Sequence, residues 1–188
     1  MILIKNATAL EFDPPRIREA VDILIEGRVI TAVGPEAEKK AAGDAKRIDA
    51  GGRLVYPGIV DSHHHYYSGL ARGILAEIGP TPDFISVLKN LWWRLDRANT
   101  EQSLYYAGLV CNLDAIRAGT TTVIDHSATP AFIGGSLDAL KRSFEEVGIR
   151  GATCYEVTDR HGKADMIAGV EENVAFATQI ERERADGS

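Results

Sequence analysis

Cysteine, tryptophan, long apolar runs and clusters of basic residues are all scarce in this sequence. The 188-residue chain has two cysteines, Cys111 and Cys154, which lie far apart and in no Cys-x-x-Cys arrangement. This excludes a disulfide framework and a thiolate metal site, and we expect both cysteines to be buried and unreactive. No segment approaches the roughly 18 apolar residues of a membrane span, and the apolar N-terminal run is too short for a signal peptide. We therefore expect a cytoplasmic location and no membrane partner.

The charge is moderately negative. The formal net charge is -6, and 26% of the residues are charged while 45% are hydrophobic, which is the composition of a globular protein with enough apolar side chains for a core. No stretch gathers lysine and arginine into a face that could bind phosphates. We therefore expect no nucleic-acid partner.

Residues 1–57 have the pattern of a small β unit. Apolar residues alternate with other residues at a period of two in short runs near Ile2, Ile23 and Val29. Gly27 follows Glu26 where a tight hairpin turn needs a positive φ. The prolines after Asp13 separate the first two strands, because proline has no donor for a sheet ladder.

From Gly58 the pattern changes to strands that alternate with helices, which is typical of parallel βαβ units. We predict a second domain over residues 58–188 with three β/α units, whereas a complete β/α barrel needs eight units and about 250 residues. The strands are predicted at Ile59-Val60, Thr120–Ile124 and 149–155. The helices are predicted over 84–95, from Thr100 to Gly119, over 136–147, and around Ile167, Val170, Val174 and Ile180, which share one apolar face.

The densest polar cluster, DSHHH at residues 61–65, follows the apolar strand Ile59-Val60 directly. Residues two apart in a strand point to the same side, so His63 and His65 can aim at one point while His64 faces away. Neutral imidazole is a good ligand for zinc, iron, copper and nickel. The alternative is a histidine-rich surface loop that binds metal adventitiously.

Segment 56–65, YPGIVDSHHH, resembles the Pro-Gly-(apolar)-(apolar)-Asp-x-His-x-His signature of the amidohydrolase superfamily, which follows a short β-sandwich segment. Three further segments narrow the likeness to the deaminase and chlorohydrolase branch. Segments 65–73 (HYYSGLARG) and 154–160 (CYEVTDR) are similar to SsnA-like aminohydrolases, and segment 118–126 (AGTTTVIDH) resembles the second barrel strand of the branch. The likeness extends over essentially the whole chain.

The resemblance implies an α/β fold in which a partial β-sandwich segment, 1–57, precedes the first three β/α units of a TIM-like (β/α)8 metal-dependent hydrolase barrel, truncated at 188. It implies one divalent metal ion, zinc or iron, held by His63 and His65. The metal would lower the pKa of a bound water from about 15.7 towards 7, so that the water attacks an sp² carbon of a heterocyclic or amidine substrate. The remaining ligands and the catalytic residues are expected beyond Ser188, so the chain alone is expected to be inactive.

Three residues are candidates for binding the substrate. His126 ends a predicted strand and should face the mouth of the site, although a satisfied, partly buried histidine is the alternative. Tyr67 and Arg72 follow the histidines closely, and Arg72 could make a bidentate contact to an anion. Packing of the first loop explains these two residues equally well.

The other polar residues near the strand ends have two explanations each. Asp61 could orient a metal-ligating histidine or make a strand-end hydrogen bond. The acidic and basic residues between Glu156 and His161 could take part in catalysis or form a salt-bridge network.

Other functions stay open at this stage. A dechlorinating hydrolase of the same branch would differ in pocket residues, and a cyclic amidase of the superfamily would need a lysine from a later strand. A non-enzymatic metal-binding fragment is the alternative from another class. Self-association is also left open.

Overall fold

Gly27 closes the hairpin between the second and third strands with a φ of 58°, which is the positive φ expected at this turn. The computed structural model describes residues 1–74 and 76–186. The chain divides into two compact units, Met1–Pro57 and Gly58–Ser188. Among the described residues, none of the helices is long and apolar enough to cross a membrane.

The first unit is built around one five-stranded sheet in the order β3-β2-β1-β4, with β5 also paired to β1. Its elements are β1 (Ile2–Phe12), β2 (Pro15–Glu26), β3 (Val29–Val33), α1 (Pro35–Lys40), β4 (Lys46–Asp49) and β5 (Leu54–Val55). The antiparallel pairing of β1 and β2 shifts its register on both sides of Ala7, so β1 pairs in parallel with β4 at one end and with β5 at the other. The described residues of this unit form a single sheet, and the sandwich stays a prediction.

The second unit is a mixed α/β structure around a parallel three-stranded sheet in the order β6-β7-β8. Its elements are β6 (Ile59–His64), a 3₁₀ helix (Tyr66–Ala71), α2 (Phe84–Val87), a π-helical turn (Leu88–Trp92), α3 (Trp93–Ala98), α4 (Glu101–Arg117), β7 (Thr120–Ser127), α5 (Ser136–Val147), β8 (Arg150–Tyr155) and α6 (Lys163–Ala185). The predicted strand at Thr120 therefore extends further than expected, to Ser127.

Local signals place the helix ends where the sequence predicts them. Thr100 caps α4, because its side chain accepts a hydrogen bond from the Ser103 N–H while the Thr100 N–H donates to the Ser103 hydroxyl. Gly119 and Gly148 follow α4 and α5 with φ values of 83° and 78°. Both glycines thus have the left-handed conformation that ends a helix.

The core of the second unit lies between the sheet and the helices α4 and α5. Val123 on β7 packs in one cluster with Tyr66, Leu104, Leu140 and Phe144. Alternate residues of β7 point to the other face of the sheet, where Ile124 is exposed. The helices therefore cover one face, and the described residues leave apolar side chains exposed on the other.

The last helix departs from the sequence prediction. Its predicted apolar face is largely exposed, since Ile167, Val170 and Val174 are 45%, 46% and 61% accessible. The buried side instead carries Glu172, whose carboxylate accepts hydrogen bonds of 2.9 Å from the N–H groups of Gly135 and Leu137 at the start of α5. Because a helix N-terminus has free N–H groups, a carboxylate from α6 can bind there and bring its own side of the helix into the core.

One of the two cysteines is also placed differently from the expectation. Cys111 is buried on α4 as predicted, but Cys154 on β8 is exposed. Cys154 lies on the same strand as the buried Tyr155 and points to the opposite face. The prediction that both cysteines are buried was therefore wrong for Cys154.

Candidate metal centre

His63 and His65 converge at the end of β6. The strand stops at His64, and His65 is the first residue after it, at the start of the 3₁₀ helix. The Nε2 atoms of His63 and His65 lie 3.0 Å apart, and the two rings meet edge to face. The β6 and β7 pairing shifts its register between Asp61 and His64, so strict strand alternation does not continue through this segment. The two rings are nevertheless directed at a common point.

A hydrogen bond holds the His65 ring through the nitrogen that does not face His63. Its Nδ1 atom lies 2.9 Å from the backbone carbonyl oxygen of His126 on β7. Since a carbonyl only accepts, Nδ1 is the donor of this bond, and Nε2 of a neutral ring keeps its lone pair. A hydrogen bond of this kind on one nitrogen is the usual arrangement of a histidine that binds metal through the other.

The donor set fits a divalent metal. Two nitrogens that each lie 2.0–2.1 Å from a tetrahedral zinc ion would be about 3.3 Å apart, which is close to the separation of the two Nε2 atoms. Among the described residues, no group of three or more His, Cys, Asp or Glu side chains is arranged to hold a metal ion. This part of the chain thus offers two nitrogen ligands.

Asp61 contacts a different histidine from the one considered in the sequence. Its Oδ2 atom accepts a 2.8 Å hydrogen bond from Nδ1 of His64, and its Oδ1 atom accepts a 3.3 Å bond from the His63 N–H. The His64 ring also packs edge to face on Tyr66. Asp61 therefore fixes His64 away from the converging pair and caps the strand end, and it does not touch the rings of His63 or His65 by hydrogen bonds.

Asp125 lies beneath the histidines and is almost fully buried. Its Oδ1 atom accepts a 2.7 Å hydrogen bond from the N–H of Tyr66, and its Oδ2 atom accepts a 2.8 Å bond from the Thr153 hydroxyl on β8. Burial raises the pKa of the Asp125 carboxyl, and the two hydrogen bonds oppose this effect. The carboxylate thus ties the residue that follows His65 to the two neighbouring strands.

His126 lies beside the converging pair. Its ring is 5.4 Å from the His65 ring, edge to face, and its Nδ1 atom is buried without a hydrogen-bond partner among the described residues. A satisfied, partly buried histidine was the alternative for this residue. An unpaired buried ring nitrogen is costly for the folded protein, so His126 is not the satisfied histidine of that alternative, and its substrate-binding role stays a prediction.

The other two predicted substrate-binding residues have protein partners. The Tyr67 ring packs against the His65 ring at 6.0 Å, and its hydroxyl has a raised pKa, mainly because of burial and the nearby Asp96 carboxylate. Arg72 is exposed and ion-paired with Asp114 of α4. Tyr67 is therefore near the histidines, whereas Arg72 already has an anionic partner.

A groove of about 550 Å³ begins beside the histidines. Its walls include His64 and His65 and the apolar side chains of Leu91, Trp92 and Leu95. Residues of α4 and Thr120, at the start of β7, complete the lining. The groove thus combines the rings of two of the histidines with apolar side chains.

The polar residues after β8 form a salt-bridge network, which was one of the two explanations. Arg160 binds both carboxylate oxygens of Glu156, at 2.9 and 3.2 Å, and lies 3.5 Å from the buried carboxylate of Asp96. His161 binds Arg97 of α3. Asp96, which the sequence did not indicate, joins this network from α3.

Comparison with known proteins decides the family. Residues 54–187 match the model of the amidohydrolase family. The chain belongs to the amidohydrolase family. It is 30% identical over 158 residues to a 5-methylthioadenosine/S-adenosylhomocysteine deaminase of Thermococcus sibiricus, covering 84% of this chain and 34% of the relative. It is 28% identical over 159 residues to a 5'-deoxyadenosine deaminase of Methanocaldococcus jannaschii, covering 85% of this chain and 33% of the relative.

Solved structures resemble this amidohydrolase chain as well. Atrazine chlorohydrolase TrzN from Arthrobacter aurescens TC1, complexed with zinc, superposes with a TM-score of 0.69 at 28% identity, over 88% of this chain and 37% of that one. Guanine deaminase of E. coli superposes with a TM-score of 0.73 over 95% of this chain and 44% of that one, and at 16% identity it shows the fold alone. The amidohydrolase chain spans about a third of the length of the curated relatives named above.

Proposed function

We propose that this chain is the metal-binding part of a hydrolase that cleaves C–N bonds of small heterocyclic or amidine substrates, in the manner of a deaminase. His63 and His65 are the ligands of one divalent metal ion, with zinc the first choice and iron the second. The observation that carries the proposal is the 3.0 Å approach of their Nε2 atoms, with Nδ1 of His65 held by the carbonyl of His126. The names of the similar proteins, which are deaminases and a zinc-containing chlorohydrolase, support the same reaction type.

Each residue of the site has a stated role in this proposal. The bound metal supplies a water with a pKa low enough to act as a nucleophile near neutral pH. His63 and His65 hold the metal, and Asp125 fixes the backbone that follows His65 through the Tyr66 N–H. His126 and Tyr67, whose rings both lie against the His65 ring, border the space in which a heterocycle would bind. Arg72 would reach an anionic substrate only by leaving Asp114, which makes it the weakest of the three.

The fold proposed for the whole protein is the TIM-like barrel, of which β6, β7 and β8 with their helices are the first three units. Parallel order, helices on one face and exposed apolar residues such as Ile124 on the other agree with that arrangement. The remaining ligands and the residues that move protons would then come from later units. For this reason the isolated chain is expected to lack activity. A cytoplasmic location is a separate part of the proposal.

Dechlorination is the second candidate reaction. It is favoured by the likeness to atrazine chlorohydrolase TrzN, which combines 28% identity with a TM-score of 0.69. Both reactions replace a group on an sp² carbon of a ring by a hydroxyl from water, and the leaving group distinguishes them. A longer protein that contains this chain should release ammonia from an aminopurine or aminopyrimidine under the first proposal and chloride from a chlorotriazine under the second.

The metal site can be tested on the chain itself. Zinc affinity is measured by competition with a chromogenic chelator for the wild type and for His63→Ala, His65→Ala and His64→Ala. We expect the first two variants to lose zinc and His64→Ala to keep it, because the His64 ring is turned to Asp61. Equal losses in all three variants would point to an adventitious histidine tract and to a non-enzymatic metal-binding fragment.

A further inference from the structure

A partly buried charged cluster near His65 joins three separate segments of the second unit. Tyr67 comes from the 3₁₀ helix after β6, Asp96 from α3, and Glu156 and Arg160 from the segment after β8. Segments that follow parallel strands meet at one edge of a sheet, which is where the histidines lie. The cluster is therefore adjacent to the candidate metal site without containing its ligands.

Asp96 is the costly member of this cluster. Its residue is only 2% exposed, its Oδ1 atom has no hydrogen-bond partner among the described residues, and the nearest cation is Arg160 at 3.5 Å from Oδ2. Burial raises the pKa of Asp96 to about 6, and Arg160 opposes the rise. A buried carboxylate whose contacts within the described part of the chain are only Tyr67 and an arginine at 3.5 Å, with one oxygen unpaired, lowers stability, so its presence calls for a role other than stability.

Arg160 contacts both carboxylates of the cluster and one aromatic ring beside it. Its guanidinium binds Glu156 through two nitrogens, approaches Asp96 and lies over the Trp93 ring at 5.2 Å. A planar fork can bind a carboxylate with two nitrogens while its face packs on an aromatic ring. Lysine cannot make these contacts together, because its ammonium is a compact point charge.

Tyr67 connects the cluster to the histidines. Its ring packs edge to face on His65 with 6.0 Å between ring centres. Its hydroxyl lies close enough to the Asp96 carboxylate to interact with it by a hydrogen bond, and Arg160 approaches the same carboxylate at 3.5 Å. The Tyr67 ring is therefore in contact with His65 on one side and with the carboxylate that Arg160 holds on the other.

We propose that Arg160 is a positioning residue for the histidine site. By holding Asp96 and Glu156 at fixed places, it keeps Tyr67 packed against His65 and so fixes the direction of the His65 ring. This inference rests on the proposed function in one respect, since the ring direction matters for zinc only if His65 is a ligand. The effect on the ring itself does not depend on that function.

The first measurement is zinc affinity, by chelator competition, together with thermal unfolding of the same samples. Arg160→Met should bind zinc about tenfold more weakly than the wild type, which is the loss typical of residues that orient metal ligands. Arg160→Lys should not restore the affinity, because lysine lacks the planar fork. Arg142→Met is the matched control, because Arg142 also pairs with a glutamate, Glu101, and lies over an aromatic ring, Tyr105, and it should bind zinc like the wild type.

The double variant Arg160→Met/Asp96→Asn separates positioning from stability. The neutral amide introduced by Asp96→Asn removes the unpaired buried charge, so the double variant should unfold at a higher temperature than Arg160→Met while its zinc affinity stays low. Recovery of both properties together would overturn the proposal, as would a folded Arg160→Met that binds zinc like the wild type. If Arg160→Met does not fold, Arg160→Lys and the double variant carry the same comparison.

A second measurement covers the case in which the wild-type chain binds no zinc at all. That result alone would contradict the proposed function. The ring signals of His65 in ¹H–¹⁵N NMR spectra of the metal-free chain then test Arg160 directly. They should shift in Arg160→Met and stay in place in Arg142→Met, and unchanged signals in a folded Arg160→Met would reject the positioning role.

Discussion

The carboxylate of Asp125 accepts a 2.7 Å hydrogen bond from the backbone N–H of Tyr66, across 59 residues of sequence. This bond fixes the chain at the residue after His65, and the other carboxylate oxygen accepts from the Thr153 hydroxyl. One side chain on β7 thus links the segment that follows β6 to the neighbouring strand β8. The local structure of the histidine segment depends on this link.

Replacement of Asp125 should therefore have a graded effect. Asp125→Ala leaves two buried donors without acceptors and should lower the free energy of unfolding by about 2–4 kcal/mol. Asp125→Asn is the milder control, because the amide oxygen can still accept from the Tyr66 N–H and the amide N–H₂ can donate to the Thr153 hydroxyl. Urea unfolding of both variants measures the difference, and equal losses would contradict this account.

Asp96 should make stability depend on pH. Its pKa is raised from 3.8 to about 6 in the folded chain, so the folded state holds this proton over a range in which the unfolded state has lost it. Stability from this group is therefore fully present below pH 4 and is lost as the pH rises to 6, by at most about 3 kcal/mol. Urea unfolding of the wild type between pH 4 and 7 measures the loss.

The control for this prediction is Asp96→Asn, which cannot titrate at this position. The difference in free energy of unfolding between the wild type and Asp96→Asn should change as the pH rises from about 4 through 6 and become constant about one pH unit above the folded pKa. A difference that does not vary with pH would show that Asp96 has its ordinary pKa in the folded chain.

The packing of the 3₁₀ helix on α4 depends on the absence of a side chain at Gly69. A methyl group at this position would overlap the sulfur of Cys111 and touch the carbonyl of Ala107 at 3.4 Å. Gly69→Ala should lower the free energy of unfolding by about 1–3 kcal/mol, as overpacking of a core does. Gly43→Ala, where the added methyl group has no neighbour within 4 Å, is the control.

A smaller residue at position 111 should relieve the overlap that Gly69→Ala creates. Cys111→Ala removes the sulfur, so the double variant Gly69→Ala/Cys111→Ala should lose less stability than the sum of the two single variants. Additive losses would indicate that the two residues do not meet in solution.

The two thiols should react differently in the folded chain. Cys154 is exposed and Cys111 is buried, and burial raises the pKa of Cys111 to about 11. An aromatic disulfide reagent should modify one thiol in buffer and two in urea, and Cys154→Ser should abolish the reaction in buffer. Because the pKa of Cys154 is also raised, its reaction should be slower than that of a free thiol.

Local signals predicted most of the secondary structure. Thr100, Gly119 and Gly148 act through bonds and φ values within their own segments, so the sequence contains what is needed to place these helix ends. The exposure of Val174 and Cys154 was not predictable in this way. It depends on which elements pack on a given face, and the apolar pattern of α6 alone does not reveal that its buried side carries Glu172.

In the candidate site, too, only the features set by residues close together in the sequence were predicted. His63 and His65 are two residues apart, and their convergence was predicted from that spacing. Asp125 and Asp96 were missed as parts of the site because their partners, Tyr66 and Arg160, lie far away in the sequence. The available signal for Asp125 was a carboxylate that follows a β-branched strand, and for Asp96 it was a carboxylate one helical turn after Trp92 on the predicted amphipathic helix.

The π-helical turn Leu88–Trp92 has a consequence for how these segments can vary. A π turn closes i→i+5 hydrogen bonds, so it holds one residue more than an α turn, and deletion of a single residue would let it close as an ordinary α turn with α3 in the same direction. Deletion of a second residue would rotate α3 by about 100°, so that Asp96 would leave the side of Arg160 and Trp93 would no longer lie beneath the guanidinium. The turn is therefore a place where this helix can lose one residue, but not two, and still present the same side chains to the segment after β8.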